Sequence, residues 1–237
     1  MRRRRCLSPR PSQGIMHPEQ GFACNMATPD TMWIIGHDSD LRRGLCVEGK
    51  DGQDNVSVEL TGKPKAFFDH WASLRTEGSV PTLRDFLDRP SPEFQPYVAI
   101  YDVCDDGQRL PLRLFGTGLV DFMGSEITGK DFLMSAEPDL RPIISFTAKM
   151  QVEHPCGRTD LRKVASSKGA YVETDALSLP LLTEGDRAPS IVLYLNHRET
   201  MGHGETLGSV LSIEGIRWVN VGAGVPDVDP PGSTASV

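Results

Sequence analysis

The chain has 237 residues, of which 38% are hydrophobic and 24% charged, and its formal net charge is −7. That is apolar enough for a packed core and too acidic to hold a phosphate backbone, which excludes wholesale disorder and a nucleic-acid-binding body. The densest apolar run, Ile191–Leu195, is only strand-sized, so a membrane span, a coiled coil, a collagen-like fibre and a disulfide miniprotein are excluded as well.

Residues 1–62 mix Pro, Gly, Ser and charge without apolar periodicity and read as a poorly ordered leader. Its patches, Trp33-Ile34-Ile35 and Val56-Ser57-Val58, are too short to bury a face. Arg2, Arg3, Arg4, Arg5 and Arg10, with no acidic residue among the first fifteen, make its start basic, which reads as a solvated tail or an early start codon, with Met16, Met26 and Met32 as later starts. Cys6-Leu7-Ser8-Pro9-Arg10 stands where a secretory signal needs an apolar stretch. The five cysteines are odd in number, widely spaced and without a Cys-x-x-Cys pair, a spacing that offers neither a zinc knuckle nor a disulfide frame. With no export signal, the expected location is the cytoplasm.

The compact part spans 63–197. It opens with a helix over about 64–77, with Pro64 in its first turn, Gly78 at its end, and Phe67, Phe68, Trp71, Ala72 and Leu74 on one stripe. A short helix over 83–88 follows, with Thr82 and Asp85 spaced as a capping box. Tyr97–Val103 is apolar on nearly both faces and reads as a central strand. Asp105-Asp106-Gly107 is a turn, and Arg109–Phe115 alternates, with Leu110, Leu112 and Leu114 on one face and Pro111 marking an edge.

A helix over 118–123, capped by Thr117 and ended by Gly124, precedes an amphipathic helix over 138–151 that carries Leu140, Ile143, Ile144, Thr147 and Ala148 on one face. Strands are predicted near 157–165, 170–182 and 189–196. The last contains Ile191–Leu195, a second central strand whose natural neighbour is Tyr97–Val103. Residues 198–225 form an annex in which Ser209–Ile213 and Ile216–Val221, joined by Glu214-Gly215, read as a hairpin; 226–237 reads as a disordered tail. The predicted fold is α+β: a five-stranded antiparallel sheet with helices on one face, plus an N-terminal helix.

Over 65–196 the sequence resembles the PAS domain, within it a short bacterial PAS-like family (PAS_5-type). Carrying the resemblance are Trp71-x-x-Leu74-Arg75-x-x-Gly78, Pro81 with Arg84-Asp85, and Tyr101-Asp102-Val103. Leu114-Phe115-Gly116-Thr117-Gly118-Leu119-Val120, Gly124-x-x-x-Thr128-Gly129-Lys130 and Leu179-Pro180-Leu181 follow in order. The resemblance implies signal transduction by a sensor or regulatory protein. Such a domain holds a ligand between sheet and helices or dimerises, and passes its signal to a partner. The cavity it implies is lined by Tyr101 and Leu114 from the sheet and by Phe122, Ile144 and Thr147 from helices.

No catalytic or metal constellation emerges. Helix 138–151 contains no histidine to ligate a haem, His154 lies just beyond it, and His197 and His203 lack a metal-pair register. A flavin-reactive cysteine setting is absent. Gly116-Thr117-Gly118 lacks the remaining residues of a nucleotide motif and reads as tight packing at a strand-to-helix corner. Asp105-Asp106, Asp85 with Asp88, and Ser166-Ser167-Lys168 read as solvated turn and helix surface. The reading is therefore a non-enzymatic cytoplasmic module acting through a signalling protein partner, a homodimer, with no cofactor and an unknown small ligand where the cavity is open. It makes no contact with nucleic acid or membrane. The alternatives are a haem- or flavin-bearing sensor, and a small enzyme using the same cavity.

Overall fold

The computed structural model describes residues 59–231 apart from 77, 79, 170 and 199–203. The basic run, the two leader patches, His203 and the end of the tail lie outside the described residues.

The first helix, α1 (Gly62–Ser73), is shorter than its apolar stripe suggested, because the chain leaves helical hydrogen bonding at Leu74. Phe67 and Trp71, four residues apart, are both fully buried, and the Trp71 indole N–H donates to the Pro180 carbonyl at 3.1 Å. Helix α2 (Leu83–Asp88) starts at the predicted capping box: the Thr82 hydroxyl accepts from the Asp85 N–H, and the Asp85 carboxylate accepts from the Thr82 N–H.

Strand β1 (Val98–Asp102) is buried throughout. Asp105 and Asp106 turn the chain with φ of 49° and 56°, and β2 (Leu112–Phe115) returns beside β1. Helix α3 (Thr117–Met123) follows, with Gly116 rather than Thr117 at its N-cap and Gly124 in the left-handed conformation at its end. A 3-10 turn (Pro138–Leu140) leads into α4 (Arg141–Glu153). Then come β3 (Gly157–Ser166), β4 (Tyr171–Leu181), β5 (Ser190–His197) and β6 (Leu207–Val219).

The sheet order is β2-β1-β5-β4-β3-β6, antiparallel throughout. The two strands apolar on both faces, β1 and β5, lie side by side, with Ile100 opposite Val192. The fold is thus α+β with an antiparallel sheet, as expected, but in two respects it differs. The sheet has six strands, because the annex is not a hairpin. It is one long strand, β6, that pairs with β3 along most of its length. Nor do the helices gather on one face. One core contains Tyr101, Phe115, Leu119, Phe132, Ile144 and Leu193, under α3 and α4. The other contains Phe67, Trp71, Phe86, Ile100, Leu179 and Tyr194, under α1 and α2. Strands buried on both sides need cover on both sides, and the N-terminal helices supply it. Each fully buried large side chain contributes about 1.5–3 kcal/mol, so α1 is part of the folded body and not an appendage. The described part of the predicted loose tail is held to the fold: Pro226 and Pro230 are buried, and the Trp218 indole N–H donates to the Val228 carbonyl at 2.8 Å.

Candidate functional site

Strand β3 sends alternate side chains to opposite faces. Its even positions face α4 and bring three charged residues into the core: Arg158, Asp160 and Arg162 are 2%, 4% and 3% exposed. Asp160 accepts from Arg158 Nε at 2.8 Å and from Arg162 Nε at 2.7 Å. Arg158 Nη1 also donates to the Thr147 hydroxyl, which itself donates to the Ile143 carbonyl on α4 at 2.8 Å. Burial alone would raise the Asp160 carboxyl; the Arg158 and Arg162 guanidinia outweigh it and hold the group below the usual carboxylate range. Two guanidinia thus share one carboxylate, and the cluster retains one unit of positive charge inside the protein. Nearby, burial pushes the Tyr101 hydroxyl up, so it stays protonated, and its ring stacks on Phe132 with centroids 5.0 Å apart.

Beside this cluster lies a partly open cavity of about 50 Å³, lined by the inner sheet face, α3 and the start of β6. Most of its wall is apolar, including Phe115, Leu119, Phe122, Met123 and Ile127. The polar exceptions are Ser135 and three residues in one line across the sheet. Arg162 on β3 is opposite Thr174 on β4, and Thr174 is opposite His197 on β5. The Thr174 hydroxyl and His197 Nδ1 are hydrogen-bonded at 2.8 Å. His197 Nε2 is buried with no hydrogen-bond partner among the described residues, and burial pushes the imidazole down to about 4. At neutral pH this rung therefore offers one fixed cation, a hydroxyl and a neutral ring nitrogen to an otherwise apolar space.

Of the cavity residues inferred from sequence, Phe122 lines this space, with its ring 4.4 Å from that of His197. Tyr101 and Ile144 lie in the same core without lining it. Thr147 is fully buried and its hydroxyl is committed to Arg158 and the α4 backbone. Leu114 is a correction: it packs into the core under α1 and α2. The pairing shifts between Ile100 opposite Leu114 and Tyr101 opposite Leu112, leaving Arg113 as an extra residue in β2. That bulge turns Leu114 to the far face and brings Phe115 to the cavity instead. Sequence reasoning missed Arg162, Thr174 and His197. The available signal was Arg158-x-Asp160-x-Arg162, three charges on one face of a strand.

The other candidates resolve as structure. Gly116 and Gly118 sit against the 95–97 segment: a Cβ on Gly116 would meet the Gln95 carbonyl oxygen at 2.6 Å, and one on Gly118 would meet the Tyr97 ring at 2.8 Å. His154 Nε2 is buried without a partner among the described residues and is not in the cavity wall. Cys156 is a free, buried thiol that burial pushes up to about 12. Among the described residues no group of His, Cys, Asp or Glu is placed to hold a metal, and no helix is long and apolar enough to cross a membrane. A larger groove of about 350 Å³ runs along α2 and the β4–β5 turn. Two of its arginines are paired with neighbours, Arg113 with Asp102 at 2.6 Å and Arg84 with Asp88 at 3.3 Å.

Comparison with known proteins gives one family: its sequence model, described as a PAS domain, matches residues 62–195. No curated protein matches. Among solved structures, a fungal LOV domain photoreceptor matches at 14% identity, over 56% of this chain and 90% of that chain, with a TM-score of 0.36. At that level neither identity nor superposition specifies a function.

Proposed function

The chain belongs to the PAS domain family, and from that premise we propose that it is a sensory and regulatory module without catalytic activity of its own. It works in the cytoplasm, as a homodimer, through contact with a signalling protein, and occupancy of the inner cavity gates that contact.

The observation that carries this reading is mechanical. The cavity wall and the outer helices are joined through one segment. Phe122, in the wall, stacks on Tyr97 with centroids 5.9 Å apart. The glycines that open α3 rest directly on residues 95–97. Next to them Phe94 lies 5.5 Å from both Phe67 on α1 and Tyr194 on β5. Displacing α3 therefore displaces the segment against which α1 is packed. A ligand that favours one position of α3 shifts the population of α1 arrangements, and a partner reading α1 senses the ligand. A cavity of about 50 Å³ has no room for the ring system of a haem or flavin, so the geometry lends the cofactor-bearing alternative no support.

The test is purification of the full chain from its native cells under gentle conditions, with mass spectrometry of co-purifying proteins and small molecules. The expected result is a stoichiometric partner protein whose association changes when the bound small molecule is removed. Recovery of a metabolite that the purified protein converts into product would overturn the non-enzymatic reading.

A further inference from the structure

We propose that the inner cavity binds a small monocarboxylate, a short-chain organic acid whose carboxylate lies against Arg162 and His197 and whose alkyl end packs on Leu119 and Phe122. This rests on the sensory reading and names the ligand class of that same cavity.

Charge is the first argument. Arg158 and Arg162 are both almost fully buried and, among the described residues, share Asp160 as their one counter-charge. A guanidinium cannot shed its proton to escape burial, and a buried charge without a counter-charge is strongly unfavourable. The cluster is one negative charge short, and of its two cations Arg162 is the one in the cavity wall. One missing charge selects a monoanion. A phosphate or a dicarboxylate brings a second charge into an apolar space that has nothing to match it.

Geometry is the second. Arg162, Thr174 and His197 stand on neighbouring strands in register, so their side chains leave the sheet side by side on one face. Between them they present guanidinium N–H groups and a ring nitrogen without a hydrogen-bond partner. A carboxylate bound here selects the tautomer in which Thr174 donates to Nδ1 and Nε2 carries the proton. A carboxylate has two oxygens and accepts from both groups at once.

Size is the third. The space is about 50 Å³ and partly open to the surface, whereas one water occupies about 10–15 Å³. Room exists for a few heavy atoms, which fits an acid of two to four carbons. The remaining wall is aliphatic and aromatic, so the far end of the ligand is apolar.

The test is calorimetric titration of the full chain with sodium propionate, propionamide and sodium phosphate at constant ionic strength. Propionate is expected to bind roughly tenfold or more tightly than its neutral isostere and than phosphate. In Arg162→Met the surviving Arg158–Asp160 pair is neutral, so the ligand-free thermal midpoint is expected to hold while propionate affinity falls roughly tenfold or more. Equal affinity for propionate and propionamide in the wild type would overturn the proposal, as would unchanged propionate binding by Arg162→Met. Should that variant fail to fold, the wild-type comparison decides alone. If propionate fails to bind while a partner still responds to another small molecule, only the ligand class falls. If propionate binds and is consumed, the ligand class stands and the non-enzymatic reading falls.

Discussion

His197 shows how one side chain ties the cavity to stability. Its imidazole titrates near 6.5 when free and is pushed down to about 4 in the fold by burial. Between those values the unfolded chain binds a proton that the folded chain refuses. Stability is therefore full above pH 6.5 and falls as the pH drops toward 4. From pH 7 to pH 5 the loss from this residue is about 2 kcal/mol. Urea unfolding midpoints at the two pH values measure it. His197→Phe, which keeps an aromatic ring beside Phe122, is expected to flatten that dependence; an unchanged slope would show that the imidazole does not titrate in the predicted window. The residue was visible in the sequence only as one half of a poor metal pair with His203. Its role depends on standing beside Thr174, 23 residues earlier. A strand's alternation gives the face a residue occupies, whereas the register that aligns three strands is set by their turns and pairing.

At the scale of elements, the sequence reading was strongest where a local signal acts locally. The capping box of α2, the glycine that ends α3 and the two strands apolar on both faces are all where the residues put them. It failed where an extra residue enters a strand. Arg113 bulges β2 and turns Leu114 away from the cavity. Gly215, with φ of 60°, marked a turn in the sequence but sits within β6, where three residues span what two span on β3. A glycine with positive φ serves a bulge as well as a hairpin, and only pairing with a distant strand distinguishes them. The strand-to-helix corner was read correctly as close packing, and it supplies a prediction. Gly116 has φ of −64° and ψ of 148°, which any residue adopts. The cost of Gly116→Ala therefore comes from its Cβ, which would meet the Gln95 carbonyl oxygen at 2.6 Å. The variant is expected to lose about 1–3 kcal/mol, as overpacking does, seen as a lower thermal unfolding midpoint. No change in the midpoint would mean that α3 is free to move off the 95–97 segment, and the mechanical link to α1 would fail with it.

For the whole molecule, the sixth strand decides whether the inner core closes. The residues that resemble the family end before β6 begins, yet β3 carries two buried arginines and has only β4 and β6 beside it. Strand β6 buries Leu207, Val210, Ile216, Trp218 and Val219. At about 1.5–3 kcal/mol for each fully buried side chain, their burial is of the order of the entire stability of an ordinary domain, about 5–15 kcal/mol. Leu207, Gly208 and Val210 are also part of the cavity wall. A chain ending at Glu205 would leave the β3 edge unpaired and water would reach Arg162 beside it. The expected outcome is loss of a cooperative thermal transition, with aggregates on size exclusion. A truncated chain that stays monomeric and melts as the full chain does would show that the matched segment 62–195 is self-sufficient, and that β6 serves only as a lid on the cavity.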